Sequence, residues 1–228
     1  MIYPGDATAL VFDRCTPLHV DVIRNTNTMA NSKLLFWQRL IARVLFLPTL
    51  GWNLLLGRVL RVRNWWDEID GAVLMGAFPL ARDVPALQHS GVGAVVNTCE
   101  EYAGPCAAYA SAGIVHLRIP TVDFTSPSLE NVERGVAFMQ EQISQGRRVY
   151  VHCKAGRARS GTVVLCWLIA TRGLSPADAQ AWILQRRPHA YRHIARRAVV
   201  QQFWARHQER MTKPEKSSQD QELRRGSD

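Results

Sequence analysis

The feature that most constrains the fold is a loop at residues 152–162 that lies between two apolar segments. Residues 149–152 have the pattern of a buried β-strand, and residues 160–171 that of a helix apolar nearly all round. A loop that leads from a strand into a helix N-terminus directs several backbone N–H groups at one point, where the helix dipole adds positive charge. The sequence therefore predicts an anion-binding loop.

The residues of this loop predict nucleophilic chemistry on a phosphate group. The loop amides would stabilise a thiolate at Cys153 and lower its pKa from the usual value of about 8.5. Arg159, six residues later, can bind two phosphate oxygens with its planar guanidinium. Ser160 can donate a hydrogen bond to the sulfur when it departs. We therefore expect Cys153 to be a nucleophile rather than an ordinary buried cysteine.

The rest of the loop is expected to contact the bound phosphate. Glycine permits backbone angles that other residues rarely adopt. The histidine before the cysteine has two possible roles, to hydrogen-bond loop carbonyls and help hold the thiolate, or to fill space. The predicted phosphate-contacting residues are His152, Lys154, Ala155, Gly156, Arg157, Ala158 and Ser160.

Hydrolysis by a thiolate also needs a group that protonates the leaving oxygen. Asp123 follows the predicted strand 115–119, and a parallel sheet would place it at the same edge as the cysteine loop. The alternative is an aspartate that caps a turn. Glu100 and Glu101 also follow a strand, but adjacent acids are more typical of the rim of a site.

Hydrophobic patterns elsewhere predict an α/β fold with a mostly parallel sheet of four to five strands flanked by helices. One predicted helix opens at Ser126-Pro127, another opens at Ser175 and is closed by Pro188. The predicted strands are 73–76, 94–98, 115–119 and 149–152, and the other predicted helices are 83–89, 103–112, 160–171 and 195–211.

The chain divides into four predicted regions. Residues 1–32 form a weakly ordered leader, 33–63 a basic apolar segment, 64–211 the catalytic domain and 212–228 a disordered tail. The basic segment has six positive charges and no acid, and its residues 34–45 have the period of a helix that lies in a membrane interface and ends at Pro48. The alternative is a helix that packs on the catalytic domain. The longest uncharged stretch, 44–57, is too short to span a membrane.

Composition limits the possible partners and cofactors. The formal net charge of +9 favours anionic partners, but no cluster of stacking aromatic residues indicates nucleic acid binding. The five cysteines contain no Cys-x-x-Cys pair, so neither a zinc site nor a disulfide framework is indicated. We expect no metal and no cofactor, and a reducing compartment.

The motifs resemble a known family. Residues 152–160 carry the His-Cys-x5-Arg-Ser signature of protein-tyrosine and dual-specificity phosphatases, and residues 153–160 are similar to the mitochondrial protein-tyrosine-phosphatase-like phosphatidylglycerophosphate phosphatases. The resemblance covers roughly residues 40–204. It includes, in order, the segments 42–50, 65–67, 74–79, 100–102 and 120–123.

The resemblance implies dephosphorylation of phosphatidylglycerophosphate, an anionic phospholipid, at the matrix face of the inner mitochondrial membrane, with a cytoplasmic location as the alternative. It implies that Cys153 is the nucleophile, Arg159 the phosphate clamp and Asp123 the acid. Glu100 and Tyr102 fall on the family's Glu-Glu-Tyr loop beside the site. A phosphoinositide or phosphoprotein phosphatase is the main alternative, and a non-catalytic phosphate-binding adaptor is a further one.

The same resemblance has implications for a second phosphate and for the hydrolytic water. Lys154 and Arg157 are expected to hold the second phosphate of such a lipid. Many relatives position water with a glutamine, which has no clear counterpart near residues 193–197, because Gln201 and Gln202 lie further along the chain. Turnover of a cysteinyl-phosphate is therefore expected to depend on Asp123. The leader also lacks the Arg-rich, acid-free pattern of a standard transit peptide.

Overall fold

The structure is a computed structural model that describes residue 44, residues 46–60 and residues 62–212. The predicted leader, almost all of the predicted helix 34–45 and the tail beyond residue 212 lie outside these residues. In the part that is described, no helix has the length and apolar character needed to cross a membrane.

Five strands form one sheet in the order β1-β2-β5-β3-β4. β2, β5, β3 and β4 are parallel, and β1 pairs antiparallel with β2 at the edge. The predicted fold class and all four predicted strands are confirmed, with small changes of boundary. The strands are β1 (Trp66–Asp70), β2 (Val73–Ala77), β3 (Val92–Cys99), β4 (Val115–Thr121) and β5 (Arg148–Cys153).

Helices cover both faces of this sheet. α1 (Phe46–Leu54) continues into a π-helical turn (Leu55–Val59), and a 3-10 turn (Ala81–Asp83) precedes α2. The remaining helices are α2 (Val84–His89), α3 (Cys106–Ser111), α4 (Leu129–Ser144), α5 (Arg159–Arg172), α6 (Pro176–Arg186) and α7 (Ala198–Thr212).

Alternating side chains of the central strand β5 enter two separate cores, as expected for a parallel sheet covered on both faces. Val149 and Val151 pack in the larger core with residues of α4, α5, α6 and α7. Tyr150 packs in the smaller core with α2 and α3. Helix α5 is buried along most of its length, as predicted, and ends at Gly173, whose φ of 62° is the left-handed C-terminal cap.

Three predicted helix boundaries are wrong. α4 does not open at Ser126-Pro127, because Ser128 caps it and its hydroxyl accepts a hydrogen bond from the backbone N–H of Asn131 at 3.2 Å. α3 starts only at Cys106, since Gly104 before it has a φ of 95°. α7 begins at Ala198 instead of residue 195 and includes Thr212.

Two features of the N-terminal part also differ from the predictions. Helix α1 runs through Pro48, which was expected to end a helix. Strand β1 was not predicted. Its sequence Trp-Asp-Glu-Ile-Asp lacks the apolar alternation of a half-buried strand, and it pairs on one side only, as an edge strand.

Candidate active site

The register of the sheet places the cysteine loop at the centre of its carboxyl edge. Cys153 is the last residue of β5 and pairs with Ala77 of β2, while His152 pairs with Asn97 of β3. The loop then leads into the N-terminus of α5 at Arg159. Because β4 is parallel to these strands, the loop after β4 reaches the same edge.

Donors converge on the sulfur of Cys153, which is 3% exposed. The hydroxyl of Ser160 donates a hydrogen bond to Sγ at 3.4 Å. Burial by itself raises the pKa of the Cys153 thiol, but the nearby Arg159 guanidinium, the Ser160 hydroxyl and the backbone N–H groups of Ser160 and Arg157 lower it. The net shift of the Cys153 pKa is downward, as the loop sequence predicted.

Two glycines allow the loop to pack closely on β2. Gly156 has a φ of 61°, and a Cβ atom built there would collide with the backbone of Gly76. Gly76 itself has no room for a side chain, because a Cβ there would lie 2.6 Å from the carbonyl oxygen of Trp65. Gly156 thus has the unusual backbone angles that were predicted, and the structure adds a close approach to the backbone of β2.

Arg187, which the sequence analysis missed, binds the backbone carbonyls of this loop. Its side chain is almost fully buried, and its Nε donates to the carbonyl oxygen of Gly156 at 2.6 Å. Nη1 pairs with Asp67 at 2.5 Å, and Nη2 lies 3.4 Å from the carbonyl oxygen of Ala155. The only signal in the sequence was the similarity of segment 65–67 to the family, which includes Asp67. We interpret Arg187 as a positioning residue for the loop.

Arg159 lies under the site with 2% of its side chain exposed. Nη1 and Nη2 donate to the two carboxylate oxygens of Glu101 at 2.8 and 2.7 Å, and Nη1 also donates to the carbonyl oxygen of Thr121. Nη2 is 3.0 Å from Oδ1 of Asp123. Burial lowers the pKa of Arg159, but the hydrogen bonds to Glu101 and the neighbouring Cys153 raise it, and the net shift is upward. The guanidinium is held charged beside the sulfur.

The Glu-Glu-Tyr loop contributes differently from the prediction. The carboxylate of Glu101, not named among the predicted site residues, orients Arg159. The Glu100 carbonyl accepts a hydrogen bond from Arg118 at 2.8 Å, and the Tyr102 hydroxyl donates to the carbonyl of Pro79 at 2.7 Å. These contacts hold the loop in place, and direct contact of Glu100 or Tyr102 with substrate stays a prediction.

Asp123 lies over the same centre. Its Oδ2 is 3.0 Å from Nζ of Lys154, and its Oδ1 accepts the backbone N–H of Phe124 at 3.1 Å in addition to contacting Arg159. Phe124 has a φ of 64°, which is uncommon for a residue with a side chain and is typical of strained functional loops. The structure therefore brings Cys153, Arg159 and Asp123 together, as predicted.

The His152 ring was expected either to hydrogen-bond a loop carbonyl or to fill space, and the Cys153 backbone lies within hydrogen-bonding reach of the ring. The ring is fully buried. It stacks on Tyr150 at 5.7 Å, and its backbone carbonyl accepts a hydrogen bond from Thr98. Burial lowers the pKa of His152 to about 3, so the ring is neutral.

The other predicted loop residues point in different directions. Lys154 turns inward to Asp123 and is 4% exposed. Arg157 is exposed, and its Nε donates to the carbonyl of His189 at 2.8 Å. Ala155 forms an isolated bridge with Ala77. Ala158 precedes α5, and its carbonyl accepts the backbone N–H of Thr162 at 3.0 Å.

Gln201 does not serve as a nearby glutamine for water. Its side chain donates to the carbonyl of Ala195 at 2.7 Å on the exposed side of α7. Arg197 lies closer to the loop, since its Nη1 donates to the hydroxyl of Thr162 at 3.0 Å. In the described residues, no group of three His, Cys, Asp or Glu side chains is placed to hold a metal ion.

This arrangement can bind a phosphate monoester and transfer its phosphoryl group to sulfur. A thiolate lies beside a guanidinium and converging amide N–H groups, which fit the three oxygens of a phosphoryl group. The Asp123 carboxylate contacts the same guanidinium, and a carboxyl group there can exchange a proton with a leaving oxygen or with water.

Comparisons with known proteins agree with this chemistry. Residues 72–173 match a family described as "Polymorphic toxin system, DSP-PTPase phosphatase". A phosphatidylglycerophosphate phosphatase of Arabidopsis thaliana is 41% identical over 164 residues, which cover 71% of this chain and 72% of the relative. The human phosphatidylglycerophosphatase and protein-tyrosine phosphatase 1 is 37% identical over 182 residues, which cover 76% of this chain and 90% of the relative.

Solved structures give the same result. A crystal structure of PTPMT1 superposes with a TM-score of 0.61 at 35% identity and covers 66% of this chain and 100% of that one. A complex of PTPMT1 with PI(5)P also has a TM-score of 0.61, at 33% identity over 65% of this chain and all of that one. The chain therefore belongs to the family of phosphatidylglycerophosphate phosphatases within the cysteine-dependent dual-specificity phosphatases, and it is a phosphatase.

Proposed function

We propose that this phosphatase removes the terminal phosphate of phosphatidylglycerophosphate to give phosphatidylglycerol, a step towards cardiolipin. The observation that carries the proposal is the convergence of Cys153, Arg159 and Asp123 in a chain whose relatives at 37–41% identity are phosphatidylglycerophosphate phosphatases.

In the first step, the Cys153 thiolate attacks phosphorus and the bond from phosphorus to the glycerol oxygen breaks. Asp123 in its protonated form gives its proton to that oxygen. The product alcohol departs, and the phosphoryl group remains on the sulfur as a cysteinyl-phosphate. In the second step, Asp123 takes a proton from water, which attacks phosphorus and releases inorganic phosphate. The Ser160 hydroxyl, 3.4 Å from Sγ, stabilises the thiolate as it departs.

The contacts of Arg159 couple substrate binding to the acid. Both Nη atoms are occupied, by Glu101 and the Thr121 carbonyl on one side and by Asp123 on the other. Glu101 keeps its two hydrogen bonds to Arg159 when substrate binds. A bound phosphoryl group therefore replaces Asp123 as the partner of Nη2. The Asp123 carboxyl is then released towards the leaving oxygen and away from the guanidinium.

The assay that tests this proposal compares the pure full chain on phosphatidylglycerophosphate, phosphoinositides and phosphotyrosine peptides. We expect the highest kcat/KM on phosphatidylglycerophosphate. The main alternative is supported by the PTPMT1 complex with PI(5)P and by the protein-tyrosine phosphatase in the name of the human relative. A higher kcat/KM on the peptide or the phosphoinositide would replace the lipid assignment with that alternative.

We further propose that segment 33–63 binds an anionic membrane surface, which for this family's reaction is the matrix face of the inner mitochondrial membrane, with the cytoplasm as the alternative location. Arg58 ties the segment to the domain through an ion pair with Asp83 at 2.5 Å and lies over the ring of Trp65. Large apolar side chains of the segment remain exposed beside its arginines, and they are Val44, Trp52, Leu55, Val59, Leu60 and Val62.

Substituting Trp52, Val59 and Leu60 together with serine tests the membrane proposal. The affinity for vesicles containing anionic lipid should fall on the order of tenfold or more, because these side chains would no longer enter the interface. Sedimentation with vesicles at low and high salt measures the effect, and salt should also weaken wild-type binding. Met211→Ser, at a residue 74% exposed on α7, is the matched control. Equal binding by the triple variant and the control would assign the segment to packing instead.

A further inference from the structure

A cavity of about 700 Å³ opens beside the cysteine loop. It lies between the residues that precede β1 and the loop that follows α6. Its lining is strongly basic and consists of four arginines and two histidines besides smaller side chains. We call this space the basic cavity. The basic residues that line it are Arg63, Arg157, Arg186, His189, Arg192 and His193.

The positive charge of the basic cavity is not neutralised from within it. Asp67 is the acid in its lining, and it is already engaged, with Oδ2 at 2.5 Å from Arg187 and Oδ1 accepting from Asn64 at 2.7 Å. Among the ion pairs of the described residues, none involves the four arginines of the cavity. Guanidinium groups that gather around a carboxylate already paired elsewhere favour an anionic ligand.

The hydrogen bonds of these arginines leave their charge in place. Nε of Arg157 donates to the carbonyl of His189, and Nη1 of Arg186 donates to the carbonyl of Trp182 at 3.2 Å. Burial, with a contribution from the nearby Arg187, lowers the pKa of His189 to about 4. At neutral pH the arginines therefore supply the positive charge, and His189 adds a neutral polar group.

Arg157 connects the basic cavity to the catalytic loop. Its backbone N–H hydrogen-bonds to the Cys153 sulfur, and its side chain lines the cavity. Its carbonyl accepts the backbone N–H of Tyr191 at 3.1 Å. This hydrogen bond joins the segment after α6 that lines the cavity to the catalytic loop. Lys154 does not line the cavity but contacts Asp123. Of the two residues expected to hold a second phosphate, only Arg157 faces this space.

We infer that the basic cavity binds the second phosphate group of a substrate that carries two, while the first lies over Cys153. For the proposed substrate this second group is the phosphodiester of the lipid headgroup, three carbons away from the monoester, so the inference rests on the proposed function. It assigns substrate positioning to Arg63, Arg186 and Arg192.

The test uses soluble probes, so that it does not depend on a membrane. Glycerol 1,3-bisphosphate and glycerol 3-phosphate are compared as inhibitors of aryl phosphate hydrolysis by the full chain. The cavity variant carries Arg63→Gln and Arg192→Gln. The matched control carries Arg206→Gln and Arg210→Gln, which remove two surface charges that pair with Glu133.

We expect the wild type and the control to bind the bisphosphate on the order of tenfold more tightly than the monophosphate, and the cavity variant to lose this preference. With phosphatidylglycerophosphate, KM should rise in the cavity variant with little change in kcat. An unchanged preference for the bisphosphate, or equal weakening of both inhibitors, would overturn the inference. If the arginines set the preference but the wild type does not hydrolyse the lipid, the cavity is confirmed and the lipid assignment fails.

Discussion

Replacing Cys153 with serine is expected to abolish turnover and leave substrate binding intact. The donors around Cys153 lower the pKa of a thiol and so supply a thiolate. A serine hydroxyl is not ionised at neutral pH, so the variant has no anionic nucleophile to attack phosphorus. The loss of kcat should be on the order of 10⁴-fold or more, as for removal of other covalent nucleophiles. Steady-state hydrolysis of an aryl phosphate, together with retention of the variant on lipid vesicles carrying substrate, measures both effects.

Cys106→Ser is the matched control, because Cys106 lies on α3 and its thiol donates a hydrogen bond to the carbonyl of Ala103 at 3.6 Å. This variant should keep normal kcat and KM. Normal hydrolysis by the Cys153 variant would show that the sulfur is not the nucleophile, and it would also favour a different reaction from phosphoryl transfer to cysteine.

Replacing Asp123 with asparagine is expected to give the second largest loss. Asparagine can still accept hydrogen bonds from Lys154 and Arg159, but it cannot protonate the leaving oxygen. Loss of a positioned general acid lowers kcat by about 10²- to 10⁴-fold. The loss should be large for an alkyl phosphate such as the lipid and smaller for an aryl phosphate, whose leaving group needs less protonation.

The comparison of the two leaving groups separates an acid from a structural carboxylate. Glu130→Gln, at an exposed carboxylate in the first turn of α4, is the control and should leave both rates unchanged. Equal losses on the alkyl and aryl substrates would indicate that Asp123 only positions Lys154 and Arg159. No loss on either substrate would remove Asp123 from the chemistry.

The parts of the fold that follow from local pattern were predictable. Val149 and Val151 continue an apolar run that only a doubly covered strand explains, and Ser175 with Pro176 is a strong helix start that the structure confirms. Strand β1 was not predictable in this way. Its pairing depends on β2 and on the Asp70 carboxylate, which accepts the N–H groups of Ala72 and Val73, not on an apolar period of its own.

The candidate site was predictable where a motif is contiguous. Cys153, Arg159 and Ser160 lie within one strand-loop-helix unit, so their spacing implies their geometry. Glu101 contacts Arg159, which lies 58 residues away in the sequence. Arg187 contacts Gly156, which lies 31 residues away. Such contacts depend on how the sheet edge assembles, and adjacent residues such as Glu100 and Glu101 cannot be ranked without it.

The direction of the Lys154 side chain also required the structure. A lysine after the nucleophile can face solvent, substrate or protein, and its spacing in the loop does not distinguish these cases. The contact with Asp123 at 3.0 Å places it between the loop and the acid. This contact is the reason why we assign the second phosphate of the proposed substrate to the arginines of the basic cavity.

The most direct test of the whole account is the pKa of the Cys153 thiol, measured from the pH dependence of its alkylation by iodoacetamide and assigned by peptide mass spectrometry. Burial raises the pKa of the Cys99 and Cys166 thiols, so their alkylation is suppressed at neutral pH. We expect a Cys153 pKa clearly below the usual value of about 8.5, with kcat/KM rising as pH passes through it. A pKa at or above the usual value would contradict a thiolate stabilised by Arg159 and the loop amides.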